Sequence, residues 1–148
     1  MTEADLTNII KIVTDYFTSV SGIPAKMGMP YVKRGNDGTF EYTGIIGISG
    51  FRRGGVYYTA GRELLRNFGW YILGETDLDE DSLTDLAGEM ANTIAGNMRE
   101  TFGSSFLISV PIVMKGKVED ISMRLKPPVF IIPIEWNGYP SQLAIGLE

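Results

Sequence analysis

Residues 79–103, DEDSLTDLAGEMANTIAGNMRETFG, carry the clearest periodicity in the chain. At about 100° per residue, Leu83, Leu86, Ala87, Met90, Ile94, Met98 and Thr101 fall on one face, and Asp85, Glu89, Asn92 and Gly96 fall in a narrow band opposite. The spacing predicts a helix over about 79–102, with Leu86, Met90 and Ile94 inside and Glu89 and Asn92 outside. Seven acidic residues and no basic one lie from Glu75 to Glu89, which suits the positive end of a helix dipole. Gly103 is a natural stop. Gly96 stands out, because a glycine inside a helix costs about 1 kcal/mol relative to alanine. On a solvent-facing side it lets another molecule come close to the backbone.

Outward from this helix, the chain divides into segregated helices and strands. Leu6, Ile9, Ile10, Val13, Phe17 and Val20 predict a helix over 3–21, ended by Gly22 and Pro24. Three strands are expected near 26–33, 39–49 and 55–60, where Tyr, Val, Ile and Thr are dense between glycine-rich breaks. A short helix follows at about 61–73. Beyond Gly103 the expected strands run near 106–114, 118–125, 128–136 and 141–147, with Asn137-Gly138 as a hairpin signal between the last two. Runs of strands between separate helices indicate an α+β fold, with an antiparallel-rich sheet packed against two long helices and one short one. With 148 residues and no linker or low-complexity stretch, residues 1–148 read as a single domain.

Composition narrows the chemistry. Cysteine and histidine are both absent, which removes cysteine nucleophiles, disulfides, Ser-His triads and zinc sites built on either residue. No metal-ligating set stands out. The net charge of −5, without basic runs, argues against nucleic acid and anionic membrane as partners. The apolar runs are far too short to span a bilayer, and the acidic start, Met1-Thr2-Glu3-Ala4-Asp5, lacks the basic region of a signal peptide. A cytoplasmic location is the default expectation.

Other patterns read as structure. Asp77-Leu-Asp79-Glu-Asp81 fails as a calcium loop, since Ser82 would take the required glycine position, and reads as a helix-start charge cluster. Gly44, Gly47 and Gly50 do not form a dinucleotide fingerprint and read as turn or bulge glycines. Arg52-Arg53 reads as a solvated turn. Asp5, at the start of the first helix, reads as an acidic cap.

The run Asp85-Leu-Ala-Gly-Glu89-Met-Ala-Asn92-Thr-Ile-Ala-Gly96-Asn97 resembles the active-site helix of the CheC/CheX/FliY chemotaxis phosphatases. That family's motif has an acid or serine, three residues, a glutamate, two residues, an asparagine, and a proline some twenty-two residues later. Asp85, Glu89 and Asn92 match it, and Ala95-Gly96-Asn97 is also typical. Pro111 follows Asn92 after eighteen residues, a shorter connection than the family's. CheC-like members carry two such helices. Here the first helix offers only Asp5-Leu-Thr-Asn8, so the chain resembles CheX more.

The resemblance implies hydrolysis of the aspartyl-phosphate of a CheY-type response regulator. Asn92 would hold the attacking water, and Glu89 would pair with the regulator's lysine. Asp85 and Gly96 would belong to the partner-binding surface, Gly96 by giving clearance. The regulator would supply Mg²⁺, leaving this chain with no cofactor of its own. It also implies a homodimer formed through the sheets. Two other readings remain open: a non-catalytic regulator-binding or flagellar-switch-like module, and a dimeric scaffold whose helix face meets a second subunit.

Overall fold

A computed structural model describes residues 1–35, 37–119 and 125–148. Among these residues three helices and eight strands follow in chain order: α1 (Glu3–Ser21), β1 (Lys26–Met27), β2 (Tyr31–Val32), β3 (Tyr42–Gly50), β4 (Gly54–Ala60), α2 (Arg62–Leu73), α3 (Glu80–Phe102), β5 (Phe106–Ile108), β6 (Ile112–Lys115), β7 (Phe130–Trp136) and β8 (Tyr139–Leu147). The α+β architecture is the one expected.

The strands form one antiparallel sheet in the order β1-β7-β8-β4-β3-β5, with β2 also on β7 and β6 also on β3. Each edge is thus two short strands in line. The expected strand over 26–33 is broken at residues 28–30, which include Pro30. The expected strand over 106–114 is broken at residues 109–111, which include Pro111. Proline has no N–H to give a ladder. The second break is a bulge: Ile48 faces Ile108 but Ile45 faces Ile112, one residue more on the outer strand. Ser109 secures it, its backbone N–H donating to the Gly47 carbonyl and its Oγ accepting from the Gly47 N–H, both at 2.9 Å. Of the strand expected over 118–125, residues 118, 119 and 125 lie outside any strand, and 120–124 lie outside the described residues. The Asn137-Gly138 hairpin is present, with φ of 51° and 81°, the paired positive values of the turn that matches strand twist.

The core fills one face of the sheet. Ile46, Val56, Tyr58, Ile132, Leu143 and Ile145 meet Phe17, Phe68, Met90 and Ile94 from the helices. Trp136 is fully buried against Phe68, with ring centroids 5.1 Å apart, and its indole N–H donates to Ser21 Oγ at 3.0 Å. That bond ties the end of α1 to β7. A second, smaller cluster, Tyr57, Val129, Ile131 and Ala144, lies on the other face.

The helix ends follow from local chemistry. Thr2 and Asp5 form a reciprocal capping box on α1, and Gly22 closes it at φ 74°. Arg52 is not a free turn residue: its Nη2 lies 3.2 Å from Asp5 Oδ2, both side chains are mostly buried, and its Nε donates to the Glu148 carbonyl. Burial alone would raise the Asp5 carboxyl. The Thr2 backbone N–H and the Arg52 guanidinium outweigh it and hold Asp5 below its usual value.

Candidate active site

α3 begins at Asp79, whose carboxylate accepts from the Ser82 N–H at 2.8 Å and is held below the ordinary value by that bond. The 75–81 acidic run therefore does the work of a helix start. Glu80 anchors the first turn, accepting from the Tyr42 hydroxyl at 2.8 Å and pairing with Arg62.

From there α3 crosses β3 at almost backbone distance. A Cβ on Gly44 would lie 2.3 Å from the Ala87 carbonyl oxygen and 2.9 Å from the Ala91 Cβ. Gly44 sits mid-strand, opposite Tyr58 and Val113. It is a close-approach glycine rather than the turn or bulge residue expected from the sequence. The small side chains Ala87, Ala91 and Ala95 are all buried and let the helix seat this closely.

Leu86, Met90 and Ile94 are buried, as the periodicity predicts. Asp85 and Glu89 are exposed, and Asn92 and Gly96 are half-buried along the same crest. Thr101, expected on the buried face, is exposed. At the last turn its sector of the helix borders an open groove beside α1 rather than the sheet. A Cβ on Gly96 would meet nothing within 4 Å, so packing does not explain this glycine. Among the described residues, neither the Glu89 carboxylate nor the Asn92 amide has a hydrogen-bond partner. Both are free to engage another molecule.

The crest has two flanks. On one, Gly88 lies beneath the bulged edge: an added Cβ would fall 2.5 Å from Val113 Cγ1 and 3.6 Å from Pro111 Cβ. Pro111 is thereby packed one residue from Glu89, although its sequence spacing differs from the family motif. On the other flank lies α1, with Tyr16 close enough to Glu89 that, after burial, the carboxylate helps push the phenol far above its ordinary value. Sequence reading counted Gly88 as part of the motif without its packing reason and missed Tyr16, because each matters through a neighbour distant in sequence.

Asp81, Asp85 and Glu89 stand four residues apart along α3, and like charges at that spacing cost about 0.2–0.5 kcal/mol per pair. A row of acids beside a neutral amide can receive a cationic group and orient a polar one. Among the described residues, no three potential metal ligands come together, and no helix is long and apolar enough to cross a membrane.

Residues 42–135 match the chemotaxis phosphatase CheX family. A search of curated protein sequences finds no match. Solved structures share the whole fold. A CheC-like superfamily protein from Shewanella sp. PV-4 superposes with a TM-score of 0.85 at 24% identity, covering 100% of this chain and 99% of that one. CheX from Desulfovibrio desulfuricans gives 0.82 at 23% identity, covering 98% and 99%. A third, the CheX-CheY-BeF3-Mg²⁺ complex from Borrelia burgdorferi, gives 0.73 at 18% identity, covering 97% of each chain. With the family match extending from β3 through α3 into β7, this chain belongs to the CheX family of chemotaxis phosphatases.

Proposed function

We propose that this protein hydrolyses the aspartyl-phosphate of a CheY-type response regulator, with Asn92 and Glu89 as the working pair. The observation that carries the reading is the uncommitted Glu89–Asn92 pair on the open crest of α3, in a chain of the CheX family. The Borrelia relative solved with CheY supports the choice of partner.

In the reaction, water attacks phosphorus in line and the bond to the aspartyl oxygen breaks. The products are a free carboxylate and inorganic phosphate, which takes up the water's proton or passes it to solvent. Such a transition state needs positioning and charge neutralisation more than covalent help. The Asn92 amide accepts from the water while donating to a phosphoryl oxygen, and being neutral it does not repel the phosphoryl group. Glu89 pairs with a lysine of the regulator and so fixes the register in which Asn92 is aimed. Asp85 adds negative charge one turn before Glu89, and Gly96 leaves room for the regulator's loops. Mg²⁺ enters with the regulator. With such a partner, the working compartment is the cytoplasm. Homodimers formed through the sheets would leave the crest of α3 free.

The test is single-turnover decay of phosphorylated CheY-type proteins. Asn92→Ala is expected to lose about 10²- to 10⁴-fold in stimulated decay with regulator binding nearly intact. Glu89→Ala should weaken binding and turnover together, and Glu89→Lys should do so more strongly by repulsion. Neither site is in the core, so melting should hardly move. An Asn92→Ala protein that is folded and fully active overturns the catalytic assignment in favour of a docking module.

A further inference from the structure

Beside Glu89, α1 and α3 part to leave a groove of about 440 Å³. Ile12 and Val20 give it apolar walls, Asp15 and Glu100 stand at its sides, and Tyr16 and Asn97 also line it. No basic residue does. Among the described residues, Asp15 is engaged only by Lys11, one turn away on the same helix, with both side chains well exposed. Pairs of that kind are weak and easily exchanged. Glu100 has no ion pair among the described residues.

The more telling feature is Tyr16. It is 6% exposed, its ring wedged against Phe17 and Phe68 at 5.6 and 5.7 Å between centroids. The ring is buried, but the hydroxyl keeps access to solvent through the groove it lines and so does not need a protein hydrogen-bond partner. Among the described residues its hydroxyl has none, and it stands where the groove meets Glu89. Burial, and after it the Glu89 carboxylate, keep the phenol protonated. It can accept from a cation and donate to a carboxylate at once.

We propose that this groove is a second docking subsite for the response regulator and takes one basic side chain, lysine or arginine. The aliphatic stem lies between Ile12 and Val20, the charge sits between Asp15 and Glu100, and the Tyr16 hydroxyl accepts one of its hydrogen bonds. Apolar walls under an acidic rim fit the two halves of such a side chain. The proposal rests on the phosphatase reading. Glu100 lies eleven residues beyond Glu89, about 16 Å along the helix, so one docked protein of ordinary footprint reaches both places.

The experiment takes the phosphorylated CheY-type receiver whose decay the full-length protein accelerates most, and measures affinity at several salt concentrations together with decay in the saturated complex. Asp15→Lys and Glu100→Lys are each expected to weaken binding about tenfold. Tyr16→Phe, which removes only the hydroxyl, should weaken it about threefold. The loss should fall on affinity, not on saturated decay, and Glu100→Lys should flatten the salt dependence. Wild-type affinity in both charge reversals overturns the subsite while leaving the phosphatase reading intact. If no receiver responds to the unmodified protein, the phosphatase reading falls, and the subsite falls with it.

Discussion

Two glycines show how differently a single hydrogen in place of a methyl group can matter here. At Gly44 an alanine Cβ would press on the Ala87 carbonyl, and neither backbone can yield without parting α3 from β3. Gly44→Ala should therefore cost about 1–3 kcal/mol by overpacking, read as a lower urea midpoint. At Gly96 the same methyl enters open space. Gly96→Ala should stabilise the protein by about 1 kcal/mol and raise its melting temperature. If the crest receives the regulator, that variant should also bind it less tightly. A gain in stability without loss of binding would mean that nothing approaches the backbone there. Gly96 was legible as an anomaly from the helix alone, since its face and its propensity cost are local properties. Gly44 was not, because its reason is a helix some forty residues away.

At the scale of elements, the helices were read nearly residue for residue, since caps and apolar spacing act within one turn. Thr2, Asp5, Gly22, Asp79 and Gly103 all mark ends that chemistry alone dictates. The edge strands were read too long. Their apolar residues continue through Pro30 and Pro111, but the ladder cannot, and the compensating bond from Ser109 joins residues far apart in sequence. Arg52 was misread for a related cause: the partner that buries it, Asp5, lies on another element. That contact gives a pH signature. Because the folded carboxyl of Asp5 titrates below its usual 3.8, its contribution is complete above that value and fades as pH falls through the lowered one. Asp5→Asn should lose on the order of 1 kcal/mol at neutral pH. In melts repeated at decreasing pH, the gap from the unmodified protein should close below 3.8. A gap that persists in strong acid would assign the effect to packing.

On the scale of the whole molecule, all the helices lie on one side of the sheet, and the β5–β6 edge carries apolar side chains outward. Val110 is 81% exposed and Ile112 61%. An edge of this kind invites pairing, and a homodimer is expected in sedimentation at micromolar concentration. Ile112→Lys should shift it to monomer without lowering decay of the regulator, and a monomeric unmodified protein would dispose of the idea. The two tryptophans divide along the same architecture. Trp136 is sealed between the sheet and α1, whereas Trp70 is 54% exposed on α2. Their emission must separate accordingly, into a blue component that aqueous iodide cannot reach and a red one that it quenches. Loosening of α1 from β7 would move intensity from the first to the second, so the protein reports its own opening in ordinary fluorescence, with no label attached.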